Sequence, residues 1–151
     1  MASIESLIKD SQKLISVFGA WPSFHDAEVI ELHLWRGDIK PDDWDKSTFP
    51  QLTAKIRVLE ATQPGASHAG DDILVTLRFH SICDFKMERF DAINQLVDLS
   101  ISTECVSPSG ECLPSYFVVR FDSGCGSLTA SFRCIHIEVI EVTNAIPYPD
   151  V

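Results

Sequence analysis

The chain has 151 residues, 45% of them hydrophobic, and its 22 acidic and 12 basic residues give a formal net charge of −10. A chain of this length can bury a sizeable core as one domain without the support of disulfides. The negative charge argues against nucleic-acid binding, because phosphate contacts require basic patches. It suits a basic protein partner, and it is equally what keeps an ordinary acidic domain soluble.

No apolar stretch approaches the roughly 20 residues that a membrane helix needs. The first residues show neither the basic part nor the apolar part of a signal peptide. The sequence therefore predicts a cytoplasmic protein that does not enter a membrane. The five cysteines are an odd number and contain no Cys-x-x-Cys pair, so we expect free, buried thiols.

The first predicted element is an amphipathic helix over about residues 4–18. Apolar residues recur there at helical spacing: Ile4, Leu7, Ile8, Leu14, Ile15 and Phe18. Ser3 is placed to cap the N-terminus of this helix, and Gly19, followed by Pro22, is placed to end it. The apolar side of the helix is expected to pack on a sheet.

After the helix, apolar residues recur at every second position, which is typical of strands with one face exposed to water. This alternation predicts strands at about 30–34, 52–58, 73–79, 99–103, 116–121 and 128–142. In the last of these the apolar side chains change face between Val139 and Ile140, which indicates a bulge or burial on both faces. The glycine-rich residues 122–126 predict a hairpin, and residues 87–97 predict either a turn of helix or a bend.

Strands that follow one another without long connections must pair mainly antiparallel, because a parallel pair needs a dozen or more connecting residues. We therefore predict a single α+β domain over residues 1–151, in which the N-terminal helix packs on a mainly antiparallel sheet of about six to seven strands. The sheet spans about residues 27–142, and a short C-terminal tail follows. Exposed loops are predicted at 36–50 and 61–72.

The least ordinary stretch of the sequence is the corner at residues 21–28, where a loop becomes a strand. His25, Asp26 and Glu28 could act as acid–base groups or as metal ligands. Neighbouring side chains of a strand point to opposite faces, so His25 and Asp26 converge only if the chain bends there. We favour a structural interpretation, in which Trp21 and Phe24 close the core and His25 or Asp26 bonds to loop backbone.

The common catalytic signatures are missing from the sequence, among them a phosphate-binding loop, a nucleophile elbow and a His-Glu-x-x-His motif. A zinc site could combine Cys112, Cys125, Cys134 and His136, but their spacing is not one that zinc ligands adopt. Core cysteines are the simpler interpretation. The sequence thus predicts no enzyme, no resident metal and no cofactor.

The loop at 36–50 combines dense negative charge with one large aromatic ring. Its acidic residues, Asp38, Asp42, Asp43 and Asp45, surround Trp44. Tryptophan anchors many protein interfaces, and acidic residues at the rim of an interface steer basic partners. The loop is therefore a candidate for partner binding, and the alternative is a solvated acidic loop with Trp44 folded back onto the sheet.

Three segments together resemble the immunity protein 50 family of bacterial polymorphic toxin systems: residues 21–29, 79–99 and 124–139. The most specific motif is Trp-Pro-x-Phe-His-Asp-Ala-Glu, which is matched by Trp21, Pro22, Phe24, His25, Asp26 and Glu28. A second motif, Phe-x-Cys-x-x-Ile-Glu-Val, is matched with one residue of slack by Phe132, Cys134, Ile137, Glu138 and Val139. Residues 90–95 depart from the family's Phe-Asn-x-Gln-Asn turn.

The resemblance implies an α+β domain that binds and neutralises a cognate protein toxin, with no catalytic residues to carry over. The matched positions are then fold determinants, and the toxin-contacting surface is expected among exposed loops, chiefly 36–50 and then 61–72. Two alternatives stay open. One is a metal-dependent or acid–base hydrolase that uses His25, Asp26 and Glu28 with His33 or His136, and the other is a self-associating module that pairs through exposed sheet edges.

Overall fold

A computed structural model of the chain describes residues 3–37, 49–59, 72–105, 114–124 and 126–144. It contains a short 3-10 helix at Ile4–Leu7, one α-helix, α1 (Gln12–Phe18), and eight strands. The strands are β1 (Glu28–Trp35), β2 (Gln51–Leu59), β3 (Asp72–His80), β4 (Cys83–Glu88), β5 (Asp98–Cys105), β6 (Pro114–Asp122), β7 (Thr129–Cys134) and β8 (His136–Asn144). Among these residues, no helix is long and apolar enough to cross a membrane.

The strands form two four-stranded sheets instead of the single sheet that the sequence predicted. Sheet I has the order β1-β2-β3-β8, and sheet II has the order β4-β7-β6-β5. All neighbouring strands pair antiparallel, as predicted. The predicted α+β class is right in outline, but the residues that the structure describes are mostly strand, and the predicted number of six to seven strands is too low.

The sequence prediction merged two strands into one at residues 128–142, because the chain leaves sheet II and enters sheet I at Ile135. Ile135 is 65% exposed, whereas Cys134 before it and Ile137 two residues after it are buried. Its N–H donates to the carbonyl of His80 at 3.1 Å. The predicted change of face is present as a bulge, since Ile140 has no partner on β3 where the pairing register shifts.

Strand β4 was missed because it lies at an edge of sheet II and most of its side chains are exposed. Only Phe85 among its residues is half-buried, with its ring 6.0 Å from the ring of Phe132. Residues 89–97 contain no helix and form a bend, which was one of the two predicted possibilities. The hairpin predicted at 122–126 joins β6 to β7.

The helix predicted over residues 4–18 is interrupted, because Lys9 pairs with the edge of sheet I. The Lys9 N–H donates to the Ile137 carbonyl, and the Val139 N–H donates to the Lys9 carbonyl, both at 2.9 Å. Asp10 follows with φ 59°, a conformation that a helix cannot contain. Two hydrogen bonds to β8 therefore replace helical ones, and α1 starts only afterwards and ends at Gly19 as predicted.

The core lies between the inner faces of the two sheets. Phe79 of sheet I packs edge-on against Phe121 and Phe132 of sheet II, with ring centroids 6.1 Å and 5.0 Å apart. Such aromatic pairs contribute about 0.5–1.5 kcal/mol each beyond the burial of their surface. Leu14 and Phe18, four residues apart on α1, are almost fully buried and extend this core.

Candidate functional site

The 21–28 corner is joined to the bend at 94–97 by backbone hydrogen bonds. The Asp26 N–H donates to the Leu96 carbonyl at 2.9 Å, and the Leu96 N–H donates to the Ala27 carbonyl at 2.7 Å. The Val29 N–H then donates to the Asn94 carbonyl at 2.9 Å. These three bonds fix how the loop enters β1.

The chain bends sharply inside the corner because Phe24 and Asp26 adopt φ values of 59° and 65°. The bend places the Phe24 side chain in the core with no exposed surface. Half-buried Trp21 packs edge-on against it, with ring centroids 5.9 Å apart, and Pro22 is buried beside them. The aromatic half of the corner therefore belongs to the core.

The same bend brings the polar side chains of His25 and Asp26 together at the surface. His25 Nε2 lies 3.7 Å from Asp26 Oδ1, and His25 Nδ1 lies 3.0 Å from the Val97 carbonyl oxygen. The Gln95 amide donates to Asp26 Oδ1 at 3.3 Å. The His25 and Asp26 side chains are 61% and 47% exposed, so the pair lacks the enclosed setting in which preorganised electrostatics assist catalysis.

A shallow depression of about 250 Å³ lies beside this pair. It is lined by Asp26, Glu28, Arg57, Ile93 and Gln95. Arg57 is already engaged with Asp72 of the neighbouring strand, since its Nε and Nη2 both donate to Asp72 Oδ2. The depression thus offers two carboxylates and one neutralised guanidinium to solvent, and it is open and polar.

The structure does not bring His33 or His136 to the corner, so the hydrolase constellation with either histidine is not assembled. Glu28 pairs with Arg57 near one end of β2, whereas His33 pairs with Thr53. His136 pairs with His80, which pairs with Gln51 at the opposite end of β2. Four to six residues along a strand correspond to about 13–20 Å.

The two cysteines whose side chains are described have opposite environments. Cys134 is buried on the inner face of sheet II, and burial raises the pKa of its thiol to about 12. Cys83 is exposed, which corrects the expectation of uniformly buried thiols. Cys134 and His136 cannot share a zinc ion, since one side chain is in the core and the other is exposed; Cys112 and Cys125 lie outside the described residues.

One group of three potential metal ligands occurs in the described part of the chain: His80, His136 and Glu138, whose ligand atoms all lie within 4.8 Å of one another. His80 Nε2 is 3.2 Å from Glu138 Oε1, and Lys9 Nζ is 3.6 Å from Glu138 Oε2. The imidazole rings are 5.2 Å apart. All three side chains project from the outer face of sheet I.

The pKa values of His136 and Glu138 are both lowered by their surroundings. Partial burial lowers the pKa of His136, and the positive charge of a protonated His80 lowers it further. Partial burial by itself would raise the pKa of Glu138, but the hydrogen bond with His80 and the ammonium of Lys9 outweigh it, so the pKa is lowered. Near neutral pH these effects favour a neutral His136 imidazole beside an ionised Glu138.

His80 was not predicted as a site residue, and His136 was considered only with the cysteines or with the 21–28 corner. The available signal was a histidine next to the end of one predicted strand and a His-x-Glu within another. Only the pairing of β3 with β8 brings them together, and that pairing joins strands separated by four others in the sequence. Strand order of this kind cannot be read from alternation.

The residues predicted to bind a partner, Asp38, Asp42, Asp43, Trp44 and Asp45, lie outside the described residues. The flanks of their segment are described. Leu34, Trp35 and Phe49 are 48%, 39% and 52% exposed at the end of sheet I where the segment leaves and returns. This end of the sheet therefore presents large apolar side chains beside an acidic stretch of sequence.

Comparison with models of known protein families supports the resemblance described from the sequence. The model of the family "Immunity protein 50" matches residues 10–144, which is most of the chain. Comparison with curated proteins and with solved structures found no match. The matched region contains the corner, both sheets and the His80, His136 and Glu138 group, and the chain belongs to the immunity protein 50 family.

Proposed function

We propose that this protein binds a cognate protein toxin in the cytoplasm and neutralises it by covering its active site or blocking its approach to substrate. Membership of an immunity family supports a toxin partner and a non-enzymatic role. The observation that carries the proposal is the exposure of three large apolar side chains, Leu34, Trp35 and Phe49, at the end of sheet I from which the acidic segment extends. Exposed large apolar side chains rimmed by charge are typical of interaction sites.

The distribution of charge supports an interface formed by connecting segments, among which 38–48 holds the largest number of acidic residues. The segments 38–48, 60–71, 106–113 and 145–151 together hold eight of the 22 acidic residues but two of the 12 basic ones. More than half of the net charge of −10 thus falls in stretches that connect or follow strands. Acidic residues around an interface accelerate encounter with a basic partner and disfavour wrong partners.

The two candidate loops attach at opposite ends of sheet I. Trp35 pairs with Gln51 at the end that carries 36–50, and Leu59 pairs with Asp72 at the end that carries 61–72. A nine-residue strand between them is about 30 Å long. A specific interface of ordinary size, roughly 1,200–2,000 Å² in total, can be centred on only one of them. We propose the 36–50 end, with 61–72 at most at the rim.

The mechanism that we propose is steric and electrostatic. If the toxin is a basic nuclease, the acidic surface competes with nucleic-acid phosphates for the same cationic groups. Neutralisation of this kind needs no catalytic side chain in the immunity protein. We accordingly expect His25→Ala to leave toxin neutralisation unchanged, because the exposed His25–Asp26 pair lies at the other end of sheet I.

The charge part of the proposal is tested by capture of the toxin encoded beside this gene. A variant with Asp42, Asp43 and Asp45 changed to lysine should bind at least roughly tenfold more weakly at low salt. The matched control changes three exposed carboxylates elsewhere to lysine: Glu88, Asp98 and Glu141. Equal loss in both variants would show that only net charge matters, and no loss in the first would contradict the assigned surface.

The apolar part is tested separately with Trp35→Ala. Removal of an aromatic anchor from an interface costs about 2 kcal/mol or more, which is roughly a thirtyfold loss of affinity. This loss should persist at high salt, unlike the loss caused by charge reversal. Phe90→Ala is the control, since Phe90 is similarly exposed, at 46%, but lies in the bend at 89–97. Weakening by Phe90→Ala alone would place the interface elsewhere.

A further inference from the structure

We propose that His80, His136 and Glu138 form a binding site for a divalent transition-metal ion, with Zn²⁺ as the representative ion. The site lies on the outer face of sheet I, in the cross-strand row formed by Trp35, Gln51, His80 and His136, and the argument for it does not use the toxin-binding proposal. Two imidazoles and one carboxylate are a ligand set that zinc uses in proteins with one coordination position left open. The proposal rests on the placement of these three side chains by the pairing of β3 with β8.

Strand geometry explains why the three side chains meet. His80 and His136 are direct cross-strand partners, and Glu138 follows His136 by two positions. Side chains of directly opposed residues lie on the same face of a sheet, and so do residues two apart on one strand. The backbone therefore aims all three groups at one point, without support from a flexible loop.

The distances are close to those of a metal site. Zinc–nitrogen and zinc–oxygen bonds of about 2.0–2.2 Å in a tetrahedron separate the ligand atoms by about 3.3 Å. His80 Nε2 and Glu138 Oε1 are already 3.2 Å apart. The other ligand atoms are no more than 4.8 Å apart. The exposed His136 side chain can close the remaining gap of about 1.5 Å by rotating towards His80 and Glu138.

Two cations beside the group set its affinity. Lys9 Nζ lies 3.6 Å from Glu138 Oε2, the carboxylate oxygen that does not face His80. The Lys9 ammonium can orient Glu138, as hydrogen-bond partners of metal ligands do, but its positive charge also repels a metal cation. Arg78 is the cross-strand partner of Glu138, and its Nε donates to Thr53 Oγ1 at 3.0 Å. We therefore expect moderate affinity and a gain on removal of the Lys9 charge.

The competing interpretation is that His80 and Glu138 form only a cross-strand hydrogen bond that stabilises sheet I. Isothermal titration calorimetry of the full-length, chelator-treated protein with ZnCl₂ distinguishes a metal site from a purely structural hydrogen bond. We expect saturable binding of one ion, at least roughly tenfold weaker binding in His136→Gln and in Glu138→Gln, and severalfold tighter binding in Lys9→Gln. His33→Gln, which removes another histidine of sheet I, should bind as the unchanged protein does.

The cysteines require a second readout, because thiolates bind zinc well. Co²⁺ added in place of Zn²⁺ should give the weak visible bands of nitrogen and oxygen ligands without an intense near-ultraviolet thiolate band. The proposal is overturned by lack of binding at millimolar Zn²⁺, by a thiolate band, or by unchanged affinity in His136→Gln and Glu138→Gln. Thermal unfolding of each variant without metal shows that it is folded, and exposed His136 makes His136→Gln the safest of them.

Discussion

Asn94 is 3% exposed, and its side chain bonds to three backbone groups. Its Oδ1 accepts from the Asp91 N–H at 2.7 Å, and its Nδ2 donates to the carbonyls of Asp91 at 2.8 Å and Val29 at 3.4 Å. One amide thus shapes the bend at 89–97 and ties it to β1. The bend in turn holds the 21–28 corner, so the shape of the corner depends on a residue outside it.

Asn94→Ala is expected to destabilise the protein by about 1–3 kcal/mol, because it leaves the buried Val29 carbonyl and the partly buried N–H and carbonyl of Asp91 without these partners. The free energy of unfolding is measured by urea denaturation. Gln95→Ala is the matched control, since exposed Gln95 makes one side-chain contact, with Asp26. A loss in Asn94→Ala no larger than that in Gln95→Ala would contradict the assigned role.

Tyr116 gives a prediction for alkaline pH. Its hydroxyl donates to Glu104, and this hydrogen bond to a carboxylate raises the pKa of Tyr116 above 10.0. A raised pKa in the folded protein contributes stability below pH 10, and the contribution is lost as the pH rises through the folded value. In a Tyr148→Phe background, the phenolate absorbance of Tyr116 should appear above pH 10, and Glu104→Gln should lower its midpoint. An unchanged midpoint would contradict the hydrogen bond.

At the scale of elements, the junction between β7 and β8 decides which sheet each strand joins. Ile135 and Ile137 have the same chemistry and stand two residues apart, but Ile135 is 65% exposed at the crossing point and Ile137 is fully buried in sheet I. Simple alternation would place both in one core face. Ile135 is exposed because the chain leaves sheet II and enters sheet I there. The alternation of buried and exposed residues begins again at His136.

We expect Ile137→Ala to cost about 2–5 kcal/mol of stability through lost burial and a residual cavity. Ile135→Ala should change the stability by no more than about 0.5 kcal/mol, as surface substitutions usually do. Chemical denaturation of both variants measures the difference. Equal losses would mean that β7 and β8 form one continuous strand, as the sequence pattern suggested.

At the scale of the whole molecule, the described sheet edges are poorly suited to pairing with another chain. Pairing registers shift on the three strands β1, β4 and β5, at Val29/Glu31, Cys83/Lys86 and Glu104/Cys105. The fourth edge, β8, is partly occupied by Lys9. Irregular or covered edges are how natural sheets avoid association.

We therefore predict a monomer, in preference to the self-associating module that open sheet edges would favour. Sedimentation velocity at two concentrations tenfold apart should give one species of 16.8 kDa. A concentration-dependent shift to larger species would contradict the prediction. In that case Trp35→Ala identifies the cause, because it would restore the monomer only if the exposed apolar group near the acidic segment drives association.

Local features of the fold followed from the sequence because they depend on neighbours in the chain. Alternation at residues 52–58 and 73–79 predicted two strands correctly, since one face of each is buried. Gly19 was correctly predicted to end the helix, because its left-handed conformation closes the last turn. The motif at 21–28 led to the right family, because its residue types and their order are local features of the chain.

What only the tertiary structure decided depends on contacts between distant residues. The division into two sheets, the break of the first helix at Lys9 and the meeting of His80 with His136 all arise at β8. Alternation reports which residues face a core, but it does not report which strand lies alongside. The sequence by itself thus determined most of the strands, the end of the helix and the family, and the pairing of β8 with β3 and Lys9 determined the surface on which we propose a metal site.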